Sequence, residues 1–160
     1  MQIGFHITDI TPPLGVEMAG HFVERHASEV HDPLTAHAMV LCDGDTTVAL
    51  VGTDLVGMPD RVAQSARKRI EDLTGIPPKN VMIWATHTHA GPVLSGVGLF
   101  RDADEQYTAL LSKLLAGAVA SASEQMEETS TRIGIGKETH ISFNRRYRMA
   151  DGSVQTNPGV

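Results

Sequence analysis

The sequence predicts an α/β layered sandwich with a mixed β-sheet and two main helices. Three observations carry that expectation. Strand-length apolar runs occupy residues 36–42 and 47–52, joined by the turn signal Asp43-Gly44-Asp45. Two longer stretches repeat their apolar residues at helical spacing. The resulting order, roughly β-β-β-α-β-α-β, belongs to sheets layered against helices.

Each element has a local cause. Residues 2–10 read as extended, and residues 15–20 form a glycine-flanked loop. His31-Asp32-Pro33 turns, because a residue before proline avoids the helical region. The first helix spans 60–73, with Val62, Ala66, Ile70 and Leu73 on one stripe. Pro59 suits its first turn and Gly75 the left-handed residue after its end. Residues 81–86 are apolar on both faces, which predicts a central strand covered on both sides. The second helix covers 104–123, burying Tyr107, Leu110, Leu111, Leu114, Leu115, Ala118 and Ala122. Residues 131–139 alternate, with Ile133 and Ile135 on one face, and read as a further strand.

Composition narrows the function classes. The chain has 160 residues, 41% hydrophobic and 20% charged, which suits one globular domain with a core. The net charge is −6 and the densest basic run is Arg67-Lys68-Arg69 on a predicted helix, which argues against nucleic acid as a partner. The single cysteine, Cys42, lies in an apolar strand and reads as a small buried residue, so no intrachain disulfide is expected. No transmembrane segment is expected, since no apolar run has the required length. The N-terminus lacks a signal-peptide pattern, so a cytoplasmic protein is expected, or a secreted one whose leader has been removed. Residues 151–160 are polar and turn-rich and read as a loop cut midway or as a disordered natural tail.

The chemistry concentrates in Ala85-Thr86-His87-Thr88-His89-Ala90-Gly91-Pro92. On an extended strand, residues two apart point the same way, so His87 and His89 would aim both imidazoles into one volume. Imidazole pairs at the carboxyl end of a strand suit a transition-metal site, or a hydrogen-bonded pair closing the strand. Asp54 could orient a metal-bound histidine or cap a turn. Gly20 could let backbone approach a substrate or simply turn, and Asn144-Arg145-Arg146 could bind a carboxylate, polarise a carbonyl or face solvent. His21 is the most notable of the scattered histidines, since it follows Met18-Ala19-Gly20.

Together these motifs resemble the N-terminal part of the neutral/alkaline non-lysosomal ceramidase family. Met18-Ala19-Gly20 is similar to its early Met-x-Gly loop, and His31-Asp32-Pro33-Leu34, running into 36–41, to its next strand. Thr86-His87-Thr88-His89-Ala90-Gly91-Pro92 is similar to its Thr-His-Thr-His-Ser-Gly-Pro signature, and Asn144-Arg145 to its Asn-Arg motif. The signature is the specific part, and the resemblance covers most of the chain.

The resemblance implies a zinc-dependent hydrolase of N-acyl (amide) bonds. It implies that His87 is a zinc ligand, that His89 handles the reacting carbonyl, and that Arg145 sits in the same pocket. Gly20 and Arg145 would contact a small-molecule or lipid substrate. One Zn2+ ion would lower the pKa of a water to about 7 for attack on the carbonyl. Two departures stand out. Ala90 replaces a serine, and the family's later histidine, glutamate and tyrosine ligands cannot be assigned here. Zinc sites normally use at least three protein ligands. Residues 1–160 are therefore expected to be a single domain that forms the N-terminal portion of a longer hydrolase domain, inactive as an isolated segment. Alternative readings are another metallohydrolase with a His-x-His site, such as an amidohydrolase-superfamily barrel, and a non-catalytic α/β module. The chain is short for a barrel of ~250 residues.

Overall fold

The computed structural model describes residues 1–21, 23–95 and 103–157. Its backbone divides into two compact units, Met1–Ser130 and Thr131–Val160.

The first unit is a mixed five-stranded sheet with two helices. Strands β1 (Gln2–Asp9), β2 (Thr35–Cys42) and β3 (Thr47–Thr53) pair antiparallel in sequence order. The β2–β3 turn is closed by Asp43, whose carboxylate accepts from the backbone N–H groups of Asp45 (3.2 Å) and Thr46 (2.9 Å). Helix α1 (Asp60–Thr74) then returns the chain to β4 (Val81–Ala85), which pairs parallel to β3. Helix α2 (Glu105–Glu124) leads to the two-residue β5 (Glu127–Glu128) beside β1, giving the order β4-β3-β2-β1-β5.

The helix ends follow local rules. Asp104 caps α2 by accepting from Gln106 N (2.9 Å) and Tyr107 N (3.0 Å). Gly75 ends α1 at φ 74°, donating to the Glu71 carbonyl at 2.8 Å. Pro59 sits one residue outside α1, where its carbonyl accepts from Val62 and Ala63.

The core lies between one face of the sheet and the helices. Ala36, Ala38, Val40, Ala49 and Val51 meet Val62, Ala66 and Ile70 of α1 and Leu111, Leu115 and Val119 of α2. Each fully buried leucine or isoleucine contributes roughly 1.5–3 kcal/mol. The small residues of β1 and β2 let α2 come close. A Cβ built on Gly4 would lie 1.9 Å from the Ala122 carbonyl oxygen.

Several expectations need correction. Leu73 and Leu110 have helical spacing, yet they are exposed because they fall at the margin of each stripe. Cys42 is half-buried rather than buried. The β4 strand is at the sheet edge, not its centre, and Met82 and Trp84 on its second face are 57% and 41% exposed. Residues 131–139 form no strand, and Ile133 and Ile135 are exposed. Alternation defines two faces, but a strand exists only where a neighbour completes its hydrogen-bond ladder. In the second unit, β6 (Arg146–Arg148) and β7 (Val154–Thr156) form a small antiparallel hairpin.

Candidate active site

The His87–His89 segment follows β4 directly, but it is a loop and not a strand continuation. His87 adopts φ 67°, a left-handed conformation rare outside glycine. Strand parity therefore does not bring the two rings together, contrary to the expectation. Loop geometry does: the ring centroids are 5.0 Å apart with planes at 78°.

The strained residue is pinned twice. Its backbone N–H donates to the Leu55 carbonyl at 3.0 Å, and its Nδ1 lies 2.6 Å from the Val56 carbonyl oxygen. A carbonyl only accepts, so Nδ1 carries the proton. In the neutral ring this leaves the lone pair on Nε2. The Leu55–Val56 turn lies between β3 and α1, so the βαβ crossover places both acceptors at the carboxyl end of the sheet.

A second loop comes in from the N-terminal side. Ala19 N donates to Gly91 O and Val93 N to Glu17 O, each at 2.9 Å, around a Met18–Pro92 bridge. This pairing lays Gly20 (φ 88°) against the His89 ring, where a built Cβ would meet Cγ at 2.4 Å. His21 follows, its Nε2 3.0 Å from the His89 carbonyl oxygen and 3.2 Å from Arg25 Nη1.

Gly20, Val56, Met58, His87, His89 and Leu94 line an open pocket of about 510 Å³ whose other walls are largely apolar. The structure thus brings together three of the four sequence-predicted site residues. Arg145 lies in the second unit, on the Asn144–Arg146 turn, where Asn144 Oδ1 accepts from Arg146 N at 2.9 Å.

Asp54 bonds across the fold and not within a turn of its own. It accepts from Thr35 N (3.0 Å), Thr35 Oγ1 (2.7 Å) and Thr86 Oγ1 (3.4 Å), tying the start of β2 to the residue before His87. Burial pushes its carboxyl up, but the hydrogen bonds from Thr35 and Thr86 outweigh this and hold it below the usual value. Residue-by-residue reading missed Leu55, Val56 and Arg25. The first two act through backbone carbonyls, which carry no sequence signal.

Among the described residues, no group of three or more His, Cys, Asp or Glu side chains is arranged to hold a metal ion. His87 and His89 offer imidazole donors suited to zinc, as part of a ligand set. Among the described residues, no helix is long and apolar enough to cross a membrane.

No family model and no curated protein matches the chain. Solved structures do. The neutral ceramidase from Pseudomonas aeruginosa is 22% identical at a TM-score of 0.70, over 79% of this chain and 22% of that one. A ceramidase complexed with C2 is 23% identical at a TM-score of 0.66, over 79% of this chain and 21% of that one. At such identity the likeness establishes the fold alone, which is like that of a region of neutral ceramidase. The chain spans about a fifth of the length of these structures.

Proposed function

We propose that this chain supplies part of the active site of a zinc-dependent, ceramidase-like hydrolase of N-acyl bonds. The observation that carries the reading is the His87 Nδ1–Val56 carbonyl contact at 2.6 Å. It is the kind of contact that fixes a metal-binding histidine in the tautomer with a free Nε2. A non-glycine residue held in a left-handed conformation beside a pocket adds support, since such strain gathers at functional sites. The substrate class is proposed by likeness to two solved ceramidases.

In this reading His87 holds the ion, with further ligands from outside the segment. A bound zinc supplies Lewis acidity and lowers the pKa of a water. His89, held by Gly20 and adjacent to His87, donates to the carbonyl oxygen as charge develops on it. For Arg145 the reading rests on the Asn144-Arg145 motif alone, which offers a guanidinium as a donor to a carbonyl oxygen. The apolar walls of the pocket accept the acyl side of the substrate.

The test is His87→Ala in the full-length protein, with zinc measured by elemental analysis and hydrolysis followed on a panel of N-acyl substrates that includes ceramide. The variant is expected to lose bound zinc and activity while keeping its fold. Unchanged zinc content refutes the ligand role. Failure on every N-acyl substrate by zinc-loaded protein refutes the reaction class.

A further inference from the structure

The loop that lays Gly20 on His89 carries two further polar side chains, His21 and Arg25. Its arms are laddered together. Gly15 N donates to Ala27 O at 2.8 Å, Ala27 N to Val16 O at 3.0 Å and Met18 N to Arg25 O at 2.8 Å. The ladder returns Arg25 beside His21, whose Nε2 lies 3.2 Å from Arg25 Nη1 and 3.0 Å from the His89 carbonyl oxygen. The ring centroids of His21 and His89 are 6.2 Å apart, and those of His89 and His87 5.0 Å. Arg25 therefore stands one imidazole away from the His87–His89 pair.

The two contacts of His21 exclude one another, because a guanidinium only donates and a carbonyl only accepts. With its lone pair on Nε2, His21 accepts from Arg25 and turns a second acceptor on the His89 carbonyl. With a proton on Nε2, it donates to His89 and turns an N–H on Arg25. The bond from Arg25 is charge-assisted and prevails while nothing else engages the guanidinium. Nor does Arg25 have a counter-ion: among the described residues no carboxylate forms an ion pair with it, and that of neighbouring Glu24 meets His26 at 2.9 Å.

We propose that Arg25 is a substrate-binding residue that recognises a carboxylate on the amine side of the scissile bond, so that the substrates are N-acyl amino acids; this rests on the proposed function. A guanidinium has five donors in a fork that matches a carboxylate, and a neutral imidazole uses only one of them. The apolar pocket includes Gly20 and His89 but neither His21 nor Arg25. An acyl chain in that pocket, with its carbonyl at His89, leaves the His21–Arg25 side for the nitrogen substituent. In an N-acyl amino acid a single carbon separates the amide nitrogen from the carboxylate, so the anion falls close to the reacting bond. When the carboxylate takes Arg25, the half-buried His21 ring exchanges its proton through water from Nδ1 to Nε2 and donates to the His89 carbonyl. His21 is then a positioning residue that holds His89 once substrate is bound.

The test compares N-lauroylglycine with N-lauroylglycinamide, which share acyl chain and amide and differ in the carboxylate. In the full-length protein kcat/KM is expected to be at least about tenfold higher for the carboxylate. Arg25→Gln is expected to bring the two values within about threefold of each other, and Arg25→Lys to keep part of the preference. Equal kcat/KM in the wild type, or a preference that Arg25→Gln leaves unchanged, overturns the proposal while the proposed function stands. Hydrolysis of neither compound overturns the proposed function. The preference is then read by calorimetric titration of both compounds into EDTA-treated protein, where equal affinities overturn this proposal too and a preference lost in Arg25→Gln upholds the carboxylate site. In the same EDTA-treated protein, 15N NMR is expected to show His21 Nε2 unprotonated alone and protonated with N-lauroylglycine. An unchanged tautomer overturns the role of His21.

Discussion

Gly20 lies against the imidazole of His89, so close that a Cβ on Gly20 would come within 2.4 Å of the ring. At φ 88° it also has a backbone conformation that side chains disfavour. Two requirements therefore meet at one position, and both concern the placing of His89. Gly20→Ala is expected to displace the His89 ring and to cost about 1–3 kcal/mol of stability. On the proposed function, the substitution in the full-length protein is expected to lower kcat more than zinc content. Unchanged kcat with an unmoved His89 NMR resonance would falsify the positioning role.

Histidine 26 clasps the loop that carries Gly20. Its Nδ1 is 2.9 Å from the Gly15 carbonyl oxygen and its Nε2 2.9 Å from a Glu24 carboxylate oxygen. Both ring nitrogens face acceptors, so the clasp is complete only in the imidazolium. The hydrogen bond to Glu24, then that to the Gly15 carbonyl, raises the His26 pKa above its ordinary 6.5, with Glu17 adding to the pull. A raised folded pKa gives stability that is fully present below the unfolded value and lost as pH rises through the folded one. The difference in melting temperature between wild type and His26→Ala is thus expected to be larger near pH 5.5 than near pH 8.5. A difference independent of pH would rule the clasp out.

Tyrosine 107 anchors the first turn of α2 to the end of β1. Its hydroxyl donates to the carbonyl of fully buried Ile10, and burial raises its pKa far above the ordinary phenol value. Tyr107→Phe keeps the ring but leaves the Ile10 carbonyl without its partner. The expected cost is about 1–3 kcal/mol, read from urea denaturation midpoints. A shift below roughly 0.5 kcal/mol would show that the hydroxyl is not needed.

Glycine 4 sets the distance between α2 and β1. Gly4→Ala puts a methyl into the Ala122 carbonyl, and the helix must move. Overpacking of this kind costs about 1–3 kcal/mol. Urea denaturation checks it, and an unchanged midpoint would mean the helix shifts freely.

The elements legible in the sequence are those with a local cause. Asp43-Gly44 marks the hairpin, Asp104 the start of α2 and Gly75 the end of α1, because turns and caps use neighbours within a few residues. Features that depend on distant partners were not legible. Ile133 and Ile135 alternate like a strand, but no ladder forms there. His87 and His89 were found by their spacing, yet the strand geometry assumed for them is absent, and the carbonyls of Leu55 and Val56 hold His87 instead.

By itself, then, the sequence determined the α/β class, the hairpin, both helices and the two imidazoles at the carboxyl end of the sheet. Tertiary structure alone decided which ring nitrogen of His87 keeps its lone pair, that Gly20 must be glycine, and that one face of the sheet lies bare. The physical reason is range. Periodicity and capping act within a few residues, whereas tautomer, close approach and burial depend on atoms that folding brings in from 31 to 69 positions away.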